Sequence, residues 1–209
     1  MKQARLDQLA DGIFAIVMTI LVFEIRIPDY VGIISDQTLL QSLLNISPVF
    51  LSYLLSFSLL FTYWRSHHFI ESILLNNVGT YFSNLNAVFF FFVGLVPFSS
   101  RLLGEYSYSK TAIIFFALNV ILIGCSLYRM RQHILKSKNT GSISISKTQN
   151  EHANMHILFP VGAAIAAIFI SFYSTKIAII LFTIAILFNF LEKSTKYTFF
   201  FIDFFRKNK

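Results

Sequence analysis

The sequence predicts an all-α integral membrane protein, built as a six-helix transmembrane bundle. Three observations predict it. Hydrophobic residues make up 56% of the 209-residue chain and charged residues only 13%, where soluble domains carry about 25% charged residues. Mean hydropathy is +0.66. The apolar residues gather into six runs, each at or near the ~20 residues that a helix needs to cross a bilayer. The 25 Phe residues suit lipid-facing surface better than one compact core.

The first run spans residues 6–27 and ends before Pro28. It starts late, contains Asp11 and lacks a small-residue cleavage site, so it reads as a retained span rather than a signal peptide. A charge at the centre of a membrane helix costs at least about 2.5–3.5 kcal/mol, and less near an interface. Asp11 is therefore expected to face protein or water. On the far side of the helix, Gly12, Ile16, Thr19, Ile20, Phe23 and Ile27 form a smooth stripe, and Val17 and Val22 fall off it. One side suits anchoring to the helix's own bundle; the other suits lining something. The Thr19 hydroxyl can bond back to the carbonyl one turn earlier, and it borders the stripe.

The second run spans residues 43–63, with Pro48 in its first turns. It leads into Trp64, His67 and His68, which share a face by three- and four-residue spacing. An interfacial aromatic with polar residues leaving the bilayer has the same composition. The other reading is an inward network, because an indole N–H, an imidazole and the Asp11 carboxylate are complementary hydrogen-bond partners. The third run, 81–103, carries Asn86 and Pro97, and the fourth, 109–128, carries Cys125. That lone cysteine has no metal or disulfide pattern around it and is expected as a buried, inert thiol. Residues 132–154 are polar, with alternating Ser and Ile at 142–146, and are expected as a loop. The fifth and sixth runs, 156–173 and 176–190, form a tight hairpin. The bundle would occupy residues 1–194. The aromatic and basic tail at 195–209 has the composition of a segment lying along a membrane face.

The formal charge of +7 does not point to nucleic acid. Of the 17 Lys and Arg residues, a cytoplasmic N-terminus with six spans leaves only Arg26, Arg101, Lys110 and Lys176 outside. That bias predicts a multi-pass protein with both termini in the cytoplasm. Anionic membrane lipid is the expected neighbour of the basic residues. Enzyme chemistry has no support: there is no Gly-rich phosphate loop, no His-Glu-x-x-His and no nucleophile elbow. No catalytic residue is assigned. Glu71 lies four residues from His67, a two-ligand set below the three or four that zinc takes. His152 and His156 have chelating spacing but are expected in water at the start of the fifth helix. No metal and no cofactor is expected.

Arg5, with Leu9, Ala10 and Asp11, resembles the Arg-x-x-x-Phe-Ser-Asp signature that opens the first helix of the bacterial transmembrane-protein-175 potassium channels. Leu9 and Ala10 depart from its Phe and Ser. The following Gly12-Ile13-Phe14-Ala15-Ile16 run is typical of that family. Its Trp-x-x-His-His pattern is met by Trp64, His67 and His68. The spacing from Asn86 to Pro97-Phe98 and the Gly104-Glu105-Tyr106 ending are also similar, so the resemblance covers the first four runs in order. It implies a homotetramer in a bacterial inner membrane, with the first helix of each subunit lining a central pore and potassium as the permeant ion. The chain has no Thr-Val-Gly-Tyr-Gly carbonyl filter. Selectivity would instead depend on apolar constrictions, which map to Ile16, Ile20 and Phe23, with Thr19 beside them. Phe23 departs from the Leu often found there. Arg5, Asp11, Trp64, His67, His68 and Asn86 would form a structural polar network. The alternative is a small proton-coupled secondary transporter using Asp11 and His67 or His68, since such groups mark proton routes in membranes. Transporter helices are often broken near mid-membrane, whereas the first run has no central Pro.

Overall fold

The computed structural model describes residues 3–27, 35–72, 79–136 and 147–190. The tail at 195–209 and the Ser/Ile stretch at 142–146 lie outside the described residues. The helices, in chain order, are α1 Gln3–Ile20, a three-residue-per-turn helix Leu21–Glu24, α2 Asp36–Asn45, α3 Ser47–Ser72, α4 Thr80–Gly94, α5 Val96–Glu105, α6 Lys110–Lys136, α7 Lys147–Ser171 and α8 Thr175–Phe190. Five stretches are long and apolar enough to cross a membrane: Gln3–Glu24, Ser47–Glu71, Thr80–Glu105, Lys110–Lys136 and Ala153–Ser171. The sixth apolar helix, α8, has 16 residues and a length of about 24 Å, short of the ~30 Å hydrocarbon core.

Several boundaries differ from the sequence expectation. The second span does not end at residue 63: α3 runs on to Ser72, so Trp64, His67 and His68 sit inside the helix rather than at its exit. The fourth span continues past residue 128 to Lys136, and α7 begins at Lys147, so helix replaces much of the loop expected at 132–154. The third span is two helices. Pro97 has no N–H to give the Val93 carbonyl; the Leu95 N–H turns back to the Phe92 and Val93 carbonyls instead. The ladder resumes with Ser99 N–H to the Leu95 carbonyl at 3.0 Å. The short α2 was not anticipated. Ser35 caps it, its Oγ accepting the Thr38 N–H at 3.3 Å, and Ile46 joins it to α3, whose first turn tolerates Pro48.

The core sits where α3, α4, α6, α7 and α8 meet. Along α6, Ile113, Phe116, Val120, Ile123 and Leu127 are buried, and α7 packs against this helix more extensively than any other element does. Two glycines permit close approach. A Cβ on Gly124 would stand 2.3 Å from Val161 Cγ2 and 2.9 Å from the Tyr63 hydroxyl. A Cβ on Gly104 would stand 2.8 Å from both the Val49 Cα and the Ser52 Oγ. Tyr63 spans the gap beside Gly124 by donating its O–H to the Val120 carbonyl at 3.3 Å. Cys125 is exposed on the side of the bundle, not buried as expected. Its neighbour Gly124 takes the inward position.

Candidate functional site

α1 has two unlike faces. Leu6, Ala10, Phe14, Val17 and Leu21 are buried against the bundle. Their three- and four-residue spacing draws one apolar line along the helix. The other face stays uncovered: Ile16 is 59% exposed, Ile20 40% and Phe23 68%. Thr19 lies between them, also exposed. Its Oγ is 2.8 Å from the Ala15 carbonyl and 2.9 Å from the Ile16 carbonyl. Its proton is therefore used within the helix, and its lone pairs remain on the open face.

At Leu21 the backbone tightens into the three-residue-per-turn helix that ends at Glu24, and the Ile25 N–H closes on the Val22 carbonyl at 3.1 Å. Two contacts hold this turn. Leu21 is fully buried, and Glu24 Oε2 lies 3.7 Å from Arg101 Nε on α5. Arg101 also donates to Glu105 at 3.0 Å. Phe23 is left pointing outward.

The polar residues expected as one network form two. In the first, the Trp64 indole N–H donates to Asp11 Oδ1 at 2.8 Å on the exposed side of α1 and α3. His68 stacks on that indole, with ring centroids 6.1 Å apart. In the second, His67 is buried and makes no bond to Asp11. Its Nε2 is 2.7 Å from Asn86 Oδ1, and its Nδ1 is 3.3 Å from Glu71 Oε2. Asn86 gives its amide N–H to the Phe82 carbonyl at 3.0 Å, so its oxygen accepts and His67 Nε2 carries a proton. Phe89 lies flat on the imidazole at 5.0 Å, and Phe14 closes the other side at 6.3 Å. Arg5 is exposed and has no hydrogen bond or ion pair among the described residues.

Sequence reasoning missed Glu71 as a structural partner of His67. Gln3 adds a hydrogen bond from its side-chain amide to the Glu71 carbonyl. The i, i+4 spacing of His67 and Glu71 was the available signal; its reading as a two-ligand metal set hid the simpler side-chain contact. Among the described residues no group of three or more His, Cys, Asp or Glu side chains converges. Nor was the tie between Glu24 and Arg101 visible, because it joins residues far apart in the chain. The same holds for Arg131, buried in α6, whose Nε donates to Asn154 of α7 at 2.9 Å and whose guanidinium lies over Phe69.

The chain is similar to known proteins in sequence and in fold. The family model described as the endosomal/lysosomal potassium channel TMEM175 matches residues 5–97, which span α1 to the start of α5. A protein of Chamaesiphon minutus named as a potassium channel is 28% identical over 191 residues, covering 90% of this chain and 93% of the relative. Another so named, from a Chryseobacterium species, is 25% identical over 143 residues, covering 68% of this chain and 70% of the relative. The crystal structure of a lysosomal potassium-selective channel TMEM175 homolog from Chamaesiphon minutus superposes with a TM-score of 0.74 at 25% identity. It covers 90% of this chain and 95% of the other.

Proposed function

We propose that the chain is a member of the TMEM175 potassium-channel family, to which it is similar over most of its length, and that it is a potassium-selective channel whose pore is lined by α1. It is a membrane-embedded channel rather than an enzyme. Four copies arranged around an axis, with the open face of each α1 turned inward, enclose a path. Ile16, Ile20 and Phe23 then form successive apolar rings, with the Thr19 oxygens between the first two. The carrying observation is the uncovered apolar face of α1: three large side chains are exposed in the single subunit while the opposite face of the same helix is fully packed. An apolar ring that is narrow sheds water, and a dry segment stops an ion because dehydration is costly. Ion passage is thereby gated by width and wetting, without a carbonyl filter.

The two polar sites serve as anchors in this reading. Trp64–Asp11 ties α1 to α3, and the His67–Asn86–Glu71 group ties α3 to α4 beneath Phe14 of α1, on the side away from the rings. In this reading the membrane is the bacterial inner membrane, and the bias of Lys and Arg toward one side supports both termini in the cytoplasm.

Purified protein in liposomes under a potassium gradient tests the proposal. Potassium flux without any opposing proton gradient is the expected result; flux that requires one supports the transporter reading instead. Ile20→Ala widens a ring and is expected to raise cation flux and lower the preference for potassium over sodium. Val22→Ala, off the stripe though also exposed, is expected to do neither. Equal effects from the two substitutions, or no potassium flux in the unmodified protein, would overturn the mechanism.

A further inference from the structure

The end of the bundle that holds Glu105 has a cleft of about 360 Å³, open to the surface and lined by Ser47, Pro48, Leu51, Lys176, Ile179 and Ile180 together with Ser107 and Tyr108. It lies where the α2–α3 junction, the α5–α6 connection and the first turns of α8 converge. A narrow recess continues it inward, sharing Pro48, Leu51, Ser107 and Ile179 and ending at Leu55, Leu103 and Thr183.

We propose that this cleft binds one anionic phospholipid, with the phosphate at Lys176 and an acyl chain along Pro48, Leu51, Ile179 and Ile180. Three observations select that occupant. First, the polar and apolar parts are layered as a lipid is. Lys176, Ser47, Ser107 and the Tyr108 hydroxyl belong to helix ends and a connection, at headgroup level, while Leu51 and Ile179–Ile180 lie further along their helices. Second, Lys176 is a cation in the first turn of α8, next to the positive end of that helix's dipole, where an anion is favoured and a cation is not. Its ammonium lies 5.6 Å over the Tyr108 ring, which holds it at the cleft mouth. A phosphate there answers both the ammonium and the helix end. Third, Thr183 is 4% exposed, and its Oγ1 has no hydrogen-bond partner among the described residues. It lies seven residues beyond Lys176, about 10 Å deeper along α8. The ester carbonyls of a phospholipid lie below its phosphate and accept hydrogen bonds, so the same molecule supplies an acceptor on the Thr183 side.

The proposal rests on membrane embedding alone and not on the ion conducted, so its readout is lipid retention. The purified wild-type oligomer is incubated with phosphatidylglycerol or phosphatidylcholine and examined by native mass spectrometry. Wild type is expected to retain phosphatidylglycerol at up to one molecule per subunit, and phosphatidylcholine at least fivefold less. Lys176→Glu is expected to abolish that preference. Ile180→Trp fills the cleft from an exposed position, with little risk to folding, and is expected to lower retention of both lipids while the oligomer stays intact. Retention unchanged in both variants would overturn the proposal. So would inorganic phosphate displacing phosphatidylglycerol at equal concentration, or dissociation of the oligomer by Ile180→Trp, which would identify the cleft as a contact between copies of this chain.

Discussion

Trp64 and His67 lie three residues apart on α3, yet their partners sit in different surroundings. The Trp64–Asp11 bond is on an exposed face, so water competes for the carboxylate. Trp64→Phe keeps the ring and removes the donor; it is expected to lower stability toward the low end of the ~1.5–3 kcal/mol of a hydrogen bond to a charged group. Thermal unfolding in detergent measures this, and a double-mutant cycle with Asp11→Asn should show that the two losses do not add. Additive losses would separate the pair. His67→Phe is expected to cost more. It preserves the stack on Phe89 but leaves the buried Asn86 oxygen without a donor, a penalty of about 1–3 kcal/mol, and also orphans Glu71. The order of the two effects is the check: a milder loss at His67 than at Trp64 contradicts the burial argument. The sequence made Trp64, His67 and Asp11 legible as hydrogen-bonding residues but not their pairing. Complementary chemistry allows either partner for Asp11. The choice was made by helix rotation, which puts His67 under Phe14 and Phe89 and leaves Trp64 at the edge.

Among the elements, the apolar runs were legible because a bilayer demands long stretches of one character, and each of the six runs is met by a helix or, for the first and third, by two consecutive helices. Their ends were harder to place. A helix that carries polar residues past the membrane boundary continues where tertiary partners receive them: His67 on α3 has Asn86, the Glu71 carbonyl has the Gln3 amide, and Arg131 on α6 has Asn154. Those partners come from other helices, so a local reading stops α3 and α6 too early. Glycine packing is similar. Gly124 is one residue in an apolar run, and only the structure shows Val161 and Tyr63 against it. Gly124→Ala is expected to destabilise by about 1–3 kcal/mol, the usual range for overpacking, through separation of α6 and α7. Val161→Ala should recover part of the loss, because the nearest clashing atom is the Val161 Cγ2. Chemical denaturation of the single and double variants measures both, and no recovery would assign the strain to the Tyr63 hydroxyl instead.

For the whole molecule, the distribution of Lys and Arg predicts that both termini share the cytoplasmic side. A single cysteine placed at Asn208, in a Cys125→Ala background because Cys125 is itself exposed, should be labelled by an impermeant thiol reagent only after the membrane is opened. Labelling in intact cells would invert or break the layout. The tightened turn at Leu21–Glu24 has a further consequence at this scale. An α-helix rises about 1.5 Å per residue and a three-residue-per-turn helix about 2.0 Å. Ile16 and Ile20 are thus about 6 Å apart along the axis, and Ile20 and Phe23 also about 6 Å rather than the ~4.5 Å of an unbroken α-helix. In the proposed pore these apolar levels would be evenly spaced over ~12 Å and form a low-dielectric plug with water at either end. Membrane voltage falls chiefly across such a plug, and one elementary charge carried through the full potential is worth about 2.3 kcal/mol per 100 mV. Current in symmetric potassium should therefore climb faster than linearly with voltage, and Ile20→Ala should straighten that curve as the middle of the plug becomes wet.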